Sequence, residues 1–134
     1  MTYVHRDLIK SKLSIIKKSV EKMVNDINNV IEDTDLFFDV KLILNELVIN
    51  SFEHGNKKDE NKIIDVTLIV DRDSAIIKVK DEGEGIRENV ETDDLKDSGR
   101  GLKLVYALSD EVLIRDSKIT VMIGNISSKN KKFL

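Results

Sequence analysis

Asn45-Glu46-Leu47-Val48-Ile49-Asn50-Ser51-Phe52-Glu53-His54-Gly55, read together with Asp81-Glu82-Gly83-Glu84-Gly85-Ile86, decides the fold of this chain. The first stretch ends a helical pattern that starts near Asp35 and stops at Gly55, with Thr34 or Asp35 as its cap. The second follows the apolar run Ala75-Ile76-Ile77-Lys78-Val79-Lys80 and turns a strand end into Gly-x-Gly. Upstream, Leu13, Ile16, Val20, Met23, Val24, Ile27 and Ile31 fall at helical spacing and predict a helix over 11–31. Residues 2–7 read as a short strand. Residues 62–71 and 74–80 read as two strands joined by Asp71-Arg72-Asp73, after a polar turn over 56–61. Residues 81–98 show no period and read as a loop. A short helix follows over 99–108, then a hairpin of strands over 111–115 and 118–124. The order β-α-α-β-β-loop-α-β-β predicts an α+β protein. It is a two-layer α/β sandwich with helices on one face of a mixed, mostly antiparallel sheet.

Composition bounds the function. At 134 residues the chain reads as one domain, 1–134, long enough for a real core, with a flexible Ser-, Lys- and Asn-rich tail over 125–134. Hydrophobic residues make up 40% and charged residues 35%. The 22 Lys and Arg against 25 Asp and Glu give a net charge of -3, which argues against a dedicated nucleic-acid binder while leaving room for a local basic patch. There is no cysteine, so thiolate metal sites are excluded, and no segment reads as a signal or a membrane span. The expectation is a cytoplasmic protein without a direct nucleic-acid or membrane partner. There is no proline either, so every turn is expected to use Gly, Asn, Asp or Ser.

Residues four apart share a helix face, at roughly 100° per residue. Glu46, Asn50, Glu53 and His54 therefore form one polar stripe beside an apolar stripe of Phe37, Val40, Leu44, Leu47 and Val48. A magnesium ion takes oxygen ligands and keeps several waters, so the Asn50 amide oxygen plus phosphates suffices. Glu46, one turn earlier, is placed to accept a proton from a hydroxyl attacking a γ-phosphate. Taken singly, Glu46 and Asn50 are the polar face of an ordinary amphipathic helix, Glu53 is a charged neighbour, and His54 is a helix end favoured by the dipole. Asp81 at a strand end can accept a hydrogen bond from an exocyclic amine such as that of adenine. Gly83 and Gly85 let a flat ring approach. Gly99 and Gly101 open a helix whose free amides can meet phosphate, and Arg100 either adds a charge-assisted contact or points to solvent. Glycines alone also mark plain turns. Here, however, four of the six lie in residues 83–101. Neither a Gly-x-x-x-x-Gly-Lys loop nor a Gly-x-Gly-x-x-Gly fingerprint is present, so the phosphate site is of another design.

These residues resemble the motifs of the GHKL ATPase and kinase superfamily, and within it most closely the small bacterial anti-sigma factor serine/threonine kinases. The resemblance rests on three boxes in order: Asn45 to Gly55, Asp81 to Ile86, and Ser98-Gly99-Arg100-Gly101-Leu102. It implies a Bergerat-type ATP-binding sandwich using ATP and Mg2+, with Glu46 as general base and Asn50 as magnesium ligand. Asp81 would bind the adenine amine, Gly83, Gly85 and Ile86 would border the base, and His54 would lie in the nucleotide site. Residues 87–98 would form the lid, Gly99 to Leu102 would lie under the phosphates, and Thr120 would support the adenine. Ser51 departs from the alanine common at its position. The lid has only Arg87 and Lys96 as basic phosphate contacts. The implied activity is phosphotransfer to a serine of a STAS-type anti-anti-sigma partner, with regulation of a sigma factor. The resemblance also suggests a homodimer through the first strand and helix. Two other readings stand beside it: a non-catalytic ATP-binding regulatory module, and the ATP-binding part of a split histidine kinase.

Overall fold

The computed structural model describes residues 2–84 and 102–124. Its elements are β1 (Tyr3–Lys10), α1 (Leu13–Asn28), α2 (Thr34–Asn50), β2 (Ile63–Val70), β3 (Ser74–Lys80), α3 (102–108), β4 (Glu111–Arg115) and β5 (Lys118–Gly124). A π-helical turn, Ser51–Gly55, continues α2. The sheet runs β1-β2-β3-β5-β4, and every pairing is antiparallel. The expected α+β sandwich is therefore present, with a sheet that is antiparallel throughout the described residues rather than mixed.

The two faces of the sheet follow from side-chain alternation. Ile64, Val66, Leu68 and Val70 of β2 join Ala75, Ile77 and Val79 of β3 and Ile119, Val121 and Ile123 of β5 in one buried cluster. Ile16, Val20, Met23 and Ile27 of α1 and Val40, Ile43, Leu44, Leu47 and Val48 of α2 close over it. Their spacing of three and four puts each set on one stripe. The other face has a small cluster of Ile69, Ile76 and Met122, and beyond it charged side chains.

Several boundaries differ from the sequence reading. β1 runs to Lys10 rather than to residue 7, because its register with β2 continues to Lys10 opposite Ile63. The cap of α2 is neither Thr34 nor Asp35. Asp33 fills it, its carboxylate accepting from Leu36 N at 3.0 Å. Asp35 instead sits in the first turn, where a negative charge favours the dipole. The turn after Gly55 uses no small residue for its left-handed positions: Lys57 and Lys58 take φ of 52° and 60°. Among the described residues no helix is long and apolar enough to cross a membrane.

Replacing Asp33 by Ala is expected to lower unfolding stability by about 1 kcal/mol, and Asp35→Ala by only a few tenths (roughly 0.3–0.5). Denaturant titration of the two variants checks which residue caps the helix.

Candidate nucleotide site

The site is built where α2 ends against the end of β3. Glu46 and Asn50 lie one turn apart on α2, both half-buried. Asn50 Nδ2 is buried without a hydrogen-bond partner among the described residues. A buried amide left unsatisfied can take a partner from a ligand, and amide N and O exchange places by a side-chain flip. Asn50 therefore fits the part of a single oxygen ligand for a magnesium ion. Among the described residues no group of three or more His, Asp or Glu converges as a metal cage. A magnesium ion carried by nucleotide phosphates needs none.

The helix does not stop at Asn50. Asn56 N bonds to Ser51 O at 2.7 Å, the i+5 spacing of a π-turn. The wider turn leaves Glu53 and His54 outside, with the side chains of both 45% exposed and His54 Nε2 3.8 Å from Glu53 Oε2. Ser51 instead faces inward and is buried. Its hydroxyl donates to the Asp81 carboxylate.

Asp81 is the centre of the arrangement. It is 6% exposed. Its Oδ1 accepts from Gly83 N at 2.8 Å, and its own N–H donates to Ser117 O at 3.1 Å. Burial pushes its carboxyl above the ordinary value, opposed by the Gly83 N–H, the Ser51 hydroxyl and the Lys62 charge. The packing is too close for any side chain at the two glycines. A Cβ at Gly55 would overlap the Asp81 carboxylate, and one at Gly83 would overlap the Gly55 carbonyl. Gly55 thus serves as more than a helix stop.

A buried amide braces this seam. Asn56 is fully buried; its Nδ2 donates to Ser11 Oγ at 2.6 Å and to Ile63 O at 3.1 Å, while its Oδ1 accepts from Glu82 N at 2.8 Å. Glu82 returns to the same strand start, its Oε2 accepting from Ile63 N at 2.5 Å. Asn56 therefore ties the end of β1, the start of β2 and the loop after β3 together. Sequence reasoning passed over both Asn56, which reads as a turn residue, and Ser51, which reads as a minor departure. Only a polar residue directly after the helix-ending glycine hinted at the first.

The other expected residues divide. Leu102 opens α3 and is buried in the core cluster. Gly85, Ile86, Gly99, Arg100 and Gly101 lie outside the described residues, as do the expected lid over 87–98 and the tail over 125–134. Thr120 is not brought to Asp81. It stands opposite Lys78 and Leu113, on the sheet face away from the helices, because Ile119 and Val121 take the helix side.

Residues 15–123 match the family of histidine kinase-like ATPase domains. The chain belongs to that family. Among curated proteins it is similar to the anti-sigma F factor of Geobacillus stearothermophilus, 29% identical over 89 residues that cover 60% of this chain and 61% of that protein. It is 28% identical to the anti-sigma F factor of Geobacillus kaustophilus over 88 residues, 60% of each chain. To that of Geobacillus sp. (strain WCH70) it is 26% identical over 108 residues, 72% of this chain and 74% of the relative. The match thus spans about three fifths of the first two relatives. The three-box resemblance and the sandwich fold agree with this family.

Two outcomes follow from the seam. The folded state holds a proton on Asp81 more tightly than the unfolded chain does, since its pKa is raised. The stability this contributes is present below the unfolded-chain value and is lost as pH rises through the raised one. Asp81→Asn is therefore expected to match or exceed the parent in stability at neutral pH, with the difference shrinking as the medium is acidified; thermal melts across pH read it. Asn56→Ala leaves several buried partners unmet and is expected to lose about 3 kcal/mol in denaturant titration.

Proposed function

We propose that this domain is an ATP-binding, anti-sigma-factor-like serine/threonine protein kinase. In this reading it transfers the γ-phosphate of ATP to a serine of a STAS-type anti-anti-sigma partner and regulates a sigma factor. The observation that carries the reading is the buried Asp81 carboxylate, held by Ser51 and Gly83. An ionised carboxylate has about four acceptor positions. Two are used by those donors, which leaves capacity for the exocyclic amine of adenine. Gly83, backed by the Gly55 carbonyl, adds no side chain of its own next to the carboxylate. Asn50 would hold a magnesium ion, which would supply positive charge to offset the charge developing on the phosphates. Glu46, one helical turn away, would take the proton of the attacking serine hydroxyl as its oxygen bonds to phosphorus and ADP departs.

A second reading, a nucleotide-binding regulatory module without transfer, draws support from Glu46 itself. Among the described residues nothing donates to it or orients it, whereas a general base is normally held in place. A split histidine kinase is less well supported by this chain's own histidines. His5 Nε2 is buried against the core side of β1, beside Tyr3, and offers no access to a γ-phosphate.

With Mg-ATP and a co-encoded STAS partner, Glu46→Gln should keep nucleotide affinity but slow phosphoserine formation by roughly 10²–10⁴-fold. Asp81→Asn should lose nucleotide binding in calorimetry. Transfer that is indifferent to Glu46→Gln would overturn the assignment of the base. Tight ATP binding with no transfer to the partner would favour the non-catalytic module.

A further inference from the structure

The helix-free face of the sheet carries a charge pattern that the nucleotide site does not use. The register sets Lys80 opposite Lys118, and Lys118 opposite Arg115, so three cations stand side by side across β3, β5 and β4. Like charges directly opposite one another destabilise a sheet. The acid in the same row, Asp65, stands opposite Lys80, but Arg6 already engages it through Nε at 3.0 Å and a second guanidinium nitrogen at 2.7 Å. Among the described residues Lys80, Lys118 and Arg115 form no ion pair. Lys78 lies on the same face, and burial together with Lys118 holds its ammonium below the ordinary value. These groups line a concavity of about 570 Å³, which also takes in Thr67, Asp116 and Ser117.

Apolar side chains border the row at both edges of the sheet. Leu8 of β1 stands opposite Asp65 and is 59% exposed; Leu113 of β4 shares the face of Arg115 and is 44% exposed. The patch reverses the sign of a chain whose net charge is -3. A long polyanion or an anionic membrane plane would meet the repelling remainder of that surface. A short segment would meet the patch alone. Two copies of this face set on one another would oppose cation to cation, which disfavours self-pairing.

We propose that this face, around Lys80, Lys118 and Arg115, docks an acidic amphipathic segment of a protein partner. The segment's carboxylates lie against the cation row and its apolar side chains rest on Leu8 and Leu113. The surface lies across the sheet from Asp81 and stands independently of the kinase reading.

Fluorescence anisotropy of the full chain with a labelled synthetic peptide of alternating Glu and Leu tests the proposal. Saturable binding that weakens steeply with salt is expected. The double substitution Lys118→Glu with Arg115→Glu should reduce affinity by at least about tenfold. Lys118→Gln with Arg115→Gln, which removes the charges without reversing them, should give a smaller loss in the same direction. Reversal of the exposed Lys17 and Lys18 of α1 should leave binding unchanged. Lys118→Glu should also raise the melting temperature, because it removes two like-charge cross-strand pairs, so lost binding is not lost folding. No saturable binding, equal loss in the α1 control, or tighter patch-dependent binding of single-stranded DNA or anionic vesicles would overturn the proposal. So would a dimer that the same substitutions dissolve.

Discussion

Burial of the Asp81 carboxylate at the seam between helix and sheet is the constraint that the rest of the site obeys. A carboxylate removed from water needs donors, clearance and a rigid surround. Ser51 and Gly83 supply the donors. Gly55 and Gly83 supply the clearance, since a side chain at either would occupy space already filled. Asn56 and Glu82 supply the surround by tying three chain segments to one another. The π-turn belongs to the same requirement. By widening the helix after Asn50 it turns Ser51 inward and brings Gly55 against Asp81, while Glu53 and His54 remain outside.

The sheet shows how one strand serves two surfaces. Alternation gives β3 Ala75, Ile77 and Val79 for the helix side and Ile76, Lys78 and Lys80 for the other. Asp81 continues the helix-side phase just past the end of β3, which is why it reaches Gly55. Thr120 is out of phase with it. The segregation of charge therefore follows from the pleat: an ionised group on the helix side is held by a dedicated set of donors, while lysines collect where water is at hand.

Much of this was legible in the sequence. The spacing of Ile16, Val20, Met23 and Ile27 gave α1 its buried stripe, and the alternation in Ile63–Val70 and Lys118–Gly124 gave the strands and their hairpins. Asp81 at a strand end turning into Gly-x-Gly was legible; its contact with Gly55 was not, because Gly55 reads only as a helix stop. The same alternation also assigns Thr120 to the opposite face from Ile119 and Val121, so its placement was readable although the motif match pointed elsewhere. What was not legible depends on tertiary contact. No local pattern announces an extra residue in a helical turn, an asparagine fully buried in a polar turn, or lysines in left-handed backbone at 57 and 58. The choice of Asp33 over its two neighbours as cap rests on one residue of phase, which propensity does not resolve.

The contact of Gly55 with Asp81 and of Gly83 with Gly55 also restricts how such a chain can change. The three positions share one small volume, and each is defined by what the other two leave empty. A side chain gained at either glycine has no room unless another member of the trio yields in the same step. Drift at these sites is therefore a correlated move rather than a series of single ones. Grafting this seam onto another member of the family means carrying the three residues across together, along with the π-turn that sets their spacing.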